Sequence, residues 1–247
     1  MQDFFALYDA LLAGMGADAD EITVKFTHSG RYWALCETDG SSGIAMEGNM
    51  ATAPRLIERD FAGLTLREAA AAIKSWNLVE AALGVAALNA YYNTTARMAA
   101  LGCYEPYENY CSRGLDFDGA RIGVIGHMGL TPEIRGAAKE IFTLERVPKD
   151  GDYPDSACDF ILPGCDYVFI SGSTIMNKTL PHLLELCKNA VTILIGPSVP
   201  MCPALLDFGV TRLSGMAVTD TAGMKAQVVG GVGGNPYRFG TSFLLTK

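Results

Sequence analysis

The sequence predicts an α/β chain in which a helix-covered parallel sheet follows a smaller α+β unit. Three observations carry this. Beyond residue 120, short fully apolar runs alternate with helical stretches, the pattern of parallel strands buried on both faces. Before residue 50, two strand-like segments flank a turn, as in a hairpin. Breakers and tyrosines crowd residues 102–119, including Pro106 and Gly114, and read as a linker between the halves.

The elements follow in order. Phe4, Leu7, Tyr8, Leu11 and Leu12 recur at helical spacing over residues 3–13. Ile22–Phe26 and Arg31–Cys36 read as strands joined by a turn at His28-Ser29-Gly30, with a third short strand at Gly43–Met46. Thr65 and Glu68 fit the two ends of a capping box. Asn77 to Glu80 looks like a second helix start, which makes N3 capping the expected role of Glu80. That helix carries Asn89 and Asn93 on one face, four residues apart. An amide buried in such an apolar helix must find a partner, either backbone or a ligand. In the second half, strands are expected at Ile122–Ile125, Ile141–Glu145, Asp166–Ile170, Val191–Ile195 and Val210–Leu213. Helices are expected after Thr131, with Pro132 at its first position, at 180–189 and at 203–208. The predicted division is 1–100, a linker at 101–119, the sheet unit at 120–225, and a mobile or turn-rich tail at 226–247 that contains Gly230 to Gly234.

Composition bounds the function. The 247 residues are 49% hydrophobic, enough for a real core without disulfides. A net charge of −8 and the lack of any basic cluster argue against nucleic acid as a partner. The longest apolar run, Ala81 to Leu88, is far short of the ~20 residues of a spanning helix. Met1 to Phe5 has no basic region of the kind that opens a signal peptide. The cysteines are odd in number, seven, with no CxxC pair, which suits reduced thiols in a cytoplasmic protein rather than a zinc or disulfide framework. No HExxH, GxSxG or phosphate-loop motif occurs.

In a parallel sheet, ligands sit beyond the carboxyl ends of the strands. Those ends carry Gly126, His127 and Gly129; then Glu145; then Ser171, Gly172, Ser173 and Thr174, with Asn177 beyond; then Gly196, Pro197 and Ser198. Small residues leave room for a ligand and expose backbone N–H groups, which favour an anion. A helix beginning after Asn177 would add to this if it pointed inward. Asn89 is expected to approach the same edge from the first half. Gly123, Gly126 and Gly129 do not have the spacing of a dinucleotide fingerprint, yet Glu145 lies 19 residues after Gly126, where a carboxylate could meet ribose hydroxyls or simply end a strand.

Several segments have a family likeness. They are Ile122–Gly126, Leu144–Pro148 with Gly151-Asp152, Asp166–Thr174 with Asn177 and Thr179-Leu180, Gly196–Pro200, Gly209-Val210 and Leu213–Gly215. In this order the second half resembles the putative heavy-metal chelation domain family, a Rossmann-like group of prokaryotic proteins. Gly84–Ala90 is similar to the signature of its companion N-terminal domain, which has an enolase N-terminal-like fold. The resemblance implies a cleft between the two parts and a connection with metal-chelating molecules of pterin-like or siderophore-like type; the leading expectation is a protein that binds such a small polar or anionic molecule in the cleft, with condensation or hydrolysis as the chemistry if it is an enzyme. It supplies no catalytic residues and no metal ligands. The expected partner is therefore a small molecule, with self-association of the chain left open, and a transition metal is expected to arrive with that molecule. The alternatives are a protein that sequesters metal or a metal complex without turnover, and a transferase that binds a nucleotide or S-adenosylmethionine.

Overall fold

The computed structural model describes residues 5–48, 53–103 and 112–246. Phe4, Pro106, Cys111 and the centre of the predicted linker lie outside the described residues. Helix α1 (Ala6–Ala13) buries Leu7, Tyr8 and Leu11. Strands β1 (Phe26–Ser29), β2 (Trp33–Glu37) and β3 (Ser42–Met46) form an antiparallel sheet in that order. The first strand lies further along the chain than Ile22–Phe26. The backbone of Ile22 and Val24 is taken by a different segment: Leu66 N–H donates to Ile22 O, and Val24 N–H to Leu64 O, both at 2.8 Å. His28 and Ser29 are consequently in β1 rather than in the turn, which Gly30 N–H closes by donating to Trp33 O.

Thr65 and Glu68 form the expected capping box at the start of α2 (Leu66–Ala70). Asn77 caps α3 (Leu78–Tyr92) by accepting from Glu80 N–H. The Glu80 carboxylate does not return to the cap, contrary to the N3 expectation. It is buried and accepts from Leu56 N–H at 2.7 Å and Ile57 N–H at 2.8 Å, so it binds the preceding loop to α3. Helix α3 is buried from Glu80 to Tyr92. It lies against β3 and β2 and against α2, and also meets the second half. Two glycines allow the close approach. A Cβ at Gly43 would lie 2.1 Å from Ala90 N, and one at Gly84 would lie 2.3 Å from Ile73 N. Helix α4 (Thr95–Ala100), capped by Thr94, follows.

The second half builds β4 (Arg121–Ile125), α5 (Pro132–Ala137), β5 (Glu140–Glu145), β6 (Tyr153–Pro154) and α6 (Cys158–Ile161). Then come β7 (Tyr167–Ser171), α7 (Ser173–Met176), α8 (Leu180–Leu186), β8 (Val191–Ile195) and α9 (Ala204–Asp207). The chain ends with β9 (Arg212–Val218), α10 (Thr221–Val229) and β10 (Gly240–Thr246). The sheet order is β10-β9-β8-β7-β4-β5-β6, parallel except for β10. The six parallel strands thus have the Rossmann order, with the reversal between β4 and β7. Of the tail expected to be mobile or turn-rich, the glycine run is a turn, and the rest is regular structure. Gly230 to Gly234 is only the turn between α10, capped by Asp220, and β10, which pairs with the whole of β9.

Two cores sandwich this sheet. Val168, Ile170, Leu194 and Leu213 join α1 and α3 in one continuous core, so the first half covers one face. Phe169, Ile193, Ile122 and Val124 face the other way with Ile134 of α5. A third cluster packs Leu35 and Ile44 of the small sheet against Met216, Met224 and Val228. Backbone-to-backbone contact at Gly43 leaves no side chain to yield. Gly43→Ala is expected to destabilise the protein by about 3 kcal/mol. Gly40→Ala, where a Cβ meets nothing within 4 Å, should stay within about 0.5 kcal/mol. Urea unfolding of both variants checks the pair.

Candidate functional site

Beyond the carboxyl ends of β4, β5, β7 and β8 lies a cleft of about 1130 Å³. Its position at the strand-order reversal is where open α/β sheets leave room for ligands. The small sheet contributes Met46, Glu47 and Gly48 to its wall, and α3 contributes Leu78. Two glycine turns shape the floor. Gly126 has φ +99° and Gly196 φ +129°, a backbone region that disfavours L side chains, and a Cβ at Gly126 would lie 3.1 Å from Ser171 Cβ.

Most of the residues read from the strand ends come together here. Gly126, His127, Gly129, Glu145, Ser171, Ser173, Thr174, Asn177, Gly196 and Pro197 all line the cleft. Ser171 and Ser173 share a hydroxyl–hydroxyl bond of 2.9 Å, and Thr174 Oγ1 donates to Ser171 O. The Asn177 side chain turns to its own chain: Thr179 N–H and Thr179 Oγ1 both donate to Asn177 Oδ1. Asn177 thus holds Thr179, the residue that precedes α8.

Asn89, Gly172 and Ser198 do not line the cleft. A Cβ at Gly172 would lie 2.7 Å from Val199 Cγ2, so glycine there lets two loops pack. Asn89 and Ser198 form the seam behind the cleft. Asn89 Nδ2 donates to Ile44 O at 2.7 Å and to Pro197 O at 3.1 Å, and Met46 N–H donates to Ser198 Oγ at 2.8 Å. Asn93 extends the seam. It donates to Val199 O and Met216 O and accepts from Met201 N–H. Backbone rather than a ligand is the partner that the buried amide of Asn89 requires.

Polar groups line the rim. His127 Nε2 lies 2.6 Å from Asp152 Oδ2, and its Nδ1 lies 3.2 Å from Glu145 Oε1. Glu145 also accepts from the backbone N–H of His127 and of Arg146. Its carboxylate thus anchors the loop after β4. The backbone N–H of Lys149, and then His127, hold the Asp152 carboxyl below its ordinary range. A second pair, His182 Nε2 and Asp159 Oδ1 at 3.0 Å, lines the cleft from α8 and α6. Lys178 lines it as well, and burial pushes its amine down to about 8. Sequence reasoning missed Lys178, His182, Asp159 and Glu47. None of them stands in a motif, and only the fold brings them to this edge.

Among the described residues, no group of three His, Cys, Asp or Glu side chains is placed to hold a metal ion. The six described cysteines are free. Cys158, which lines the cleft, has its thiol pushed up to about 11, chiefly by burial, so it is a poor source of thiolate at neutral pH. No helix among the described residues is long and apolar enough to cross a membrane.

A Rossmann-like sheet with an antiparallel sheet closing one side of its ligand edge defines the architecture. The chain belongs to the DUF364 family, whose model, described as putative heavy-metal chelation, matches residues 115–243. A companion model of the same description, DUF4213, matches residues 8–92. A DUF364-family protein from Desulfitobacterium hafniense is 33% identical, with a TM-score of 0.86 over 100% of this chain and 99% of that one. One from Pyrococcus horikoshii, 23% identical with a TM-score of 0.79 over 99% of each chain, shares the fold. Uncharacterized protein MJ0500 of Methanocaldococcus jannaschii is 34% identical over 159 residues, 59% of this chain and 58% of that protein's length.

The seam has a measurable consequence. Asn89→Ala strips the partner from Ile44 O and Pro197 O, and should cost about 2 kcal/mol of stability. The loss is moderated because Asn89 Oδ1 itself has no partner among the described residues. Ser173→Ala, in a half-exposed hydroxyl pair, should change stability by less than about 0.5 kcal/mol. Denaturant titration of the two variants checks the contrast.

Proposed function

We propose that the cleft receives a small polar or anionic molecule capable of chelating metal, and that the protein condenses or hydrolyses it. The observation that carries this is the position of two His–carboxylate pairs, His127 with Asp152 and His182 with Asp159, beside a roomy cleft at the strand-order reversal. A histidine held by a carboxylate is a suitable general acid–base group for a molecule bound beside it. The hydroxyls of Ser171 and Ser173 offer donors to an anionic group, while Met46, Leu78 and Ile125 supply an apolar wall for a planar ring. The family description supports a connection with heavy metals. On this reading the metal comes with the organic ligand; among the described residues no three His, Cys, Asp or Glu side chains are grouped to hold one. The first half acts as an enolase N-terminal-like cap on the cleft, and the setting is the cytoplasm.

The strand order and the place of Glu145 at the end of β5 favour a second reading, a nucleotide or S-adenosylmethionine site. Against it, both Glu145 oxygens already accept backbone N–H groups.

Fluorescence titration with pterin-6-carboxylate, with and without Zn²⁺, tests the proposal. Gly129 lines the cleft and a Cβ there meets nothing within 4 Å, so Gly129→Trp adds a bulky ring at the cleft edge without a clash at Cβ, and circular dichroism of the variant checks that it is folded. Wild type should bind the pterin and its zinc chelate, and Gly129→Trp should lose both. Zn²⁺ that binds equally well without the pterin, or S-adenosylmethionine that binds while the pterin does not, would overturn the reading. If the pterin or its chelate binds, mass spectrometry of the incubated ligand should show conversion by wild type and none by His182→Asn. Binding without conversion would leave a sequestering protein and remove the catalytic half of the proposal.

A further inference from the structure

Among the described residues Lys178 is the one non-glycine residue with left-handed backbone, at φ 68°. That conformation suits glycine or asparagine, and a lysine held in it marks a position where the side chain matters more than local comfort. The lysine follows Asn177 in the loop between α7 and α8 and lines the cleft. Its side chain is half-buried. Nζ donates to Met176 O at 2.7 Å and sits 5.9 Å from the Tyr8 ring and 6.0 Å from that of Trp76. No carboxylate lies within ion-pairing distance of it among the described residues. One carbonyl and two ring faces are a poor substitute for water around an ammonium, so burial favours the free amine and brings its pKa down to about 8. Four residues on in sequence, within α8, His182 lines the same cleft with Asp159 bonded to its Nε2.

We infer that Lys178 is an imine-forming amine: its Nζ condenses with the carbonyl carbon of a small aldehyde or α-keto acid held in the cleft, and the His182–Asp159 pair carries the proton. This deepens the condensation chemistry proposed above and rests on that reading of the cleft. In the first step the amine lone pair forms the N–C bond, and the carbonyl oxygen takes the proton that nitrogen gives up. In the second, protonated His182 donates to the new hydroxyl, the C–O bond breaks and water leaves. The C=N bond forms as nitrogen releases its remaining proton to the imidazole. No electrons are gained or lost, and the carbonyl compound is the sole co-reactant. A free amine adds to carbonyls, whereas an ordinary lysine at neutral pH is almost wholly protonated and does not.

Reductive trapping tests this. The whole chain is incubated with pyruvate and sodium cyanoborohydride, digested and mapped by mass spectrometry, with circular dichroism confirming that each variant is folded. Wild type should carry one reduced adduct, on Lys178, with a yield that rises as pH passes through about 8. Lys178→Arg should carry none. Gly129→Trp should suppress it, and His182→Asn should slow its formation by about 100-fold. Adducts spread over surface lysines would overturn the inference, as would an adduct at Lys178 that Gly129→Trp leaves unchanged. The two levels separate cleanly. Pterin binding without any Lys178 adduct retires the imine and keeps the cleft reading, while a Lys178 adduct that Gly129→Trp suppresses, in a chain that binds no pterin, retires the pterin-type ligand and keeps the amine.

Discussion

The whole arrangement depends on two amides buried in one helix. Helix α3 is apolar on nearly every side, so its hydrophobic pattern alone does not fix how it is rotated or how far it slides. Asn89 and Asn93 remove that freedom, because a buried amide without partners is expensive. Their partners are backbone groups of Ile44 in the small sheet and of Pro197, Val199, Met201 and Met216 in the large half. One helix face therefore sets the end of β3 against the loop after β8. Glycine at position 43 lets α3 come close to β3, and glycine at position 84 lets it come close to the segment after α2.

The cleft follows from this placement. Its floor is the loop set that any Rossmann-like sheet leaves at its reversal point, opened by the positive φ of Gly126 and Gly196. One wall, Met46 to Gly48, comes from the first half and stands where it does because Met46 is bonded to Ser198. The polar groups lie in the loops and helices around that floor: His127 after β4, Asp159 in α6, His182 in α8. Packing holds the scaffold, and the loops and short helices around it carry the polar groups of the rim.

The frame was largely legible in the sequence, and the chemistry only partly so. Runs such as Val191–Ile195 declare a two-face-buried strand, and Thr65 with Glu68 declares a helix start, because each signal is local. The two-residue strand β6 is too short to leave a pattern. The glycines at 230–234 concealed β10, whose pairing with β9 spans a turn that composition alone reads as slack. The first hairpin strand was misplaced because Ile22 and Val24 spend their backbone bonds on residues 64–66. Most strand-end residues line the cleft because topology sends parallel strands to one edge. Lys178 and His182 were missed because a lysine in a polar loop and a lone histidine on a short helix look ordinary until the fold places them. That Asn89 needs a partner is legible from its apolar helix, but its partners, Ile44 and Pro197, lie 45 and 108 residues away in the chain.

The central claim is that the cleft holds a small organic molecule and that any metal travels with it. Native mass spectrometry with elemental analysis of the protein, purified without chelators, tests it most directly. The account predicts one organic molecule per folded chain, with metal present only in the fraction that carries it, and neither in Gly129→Trp. Metal retained in stoichiometric amount by chains with no organic companion, and unaffected by Gly129→Trp, would contradict it.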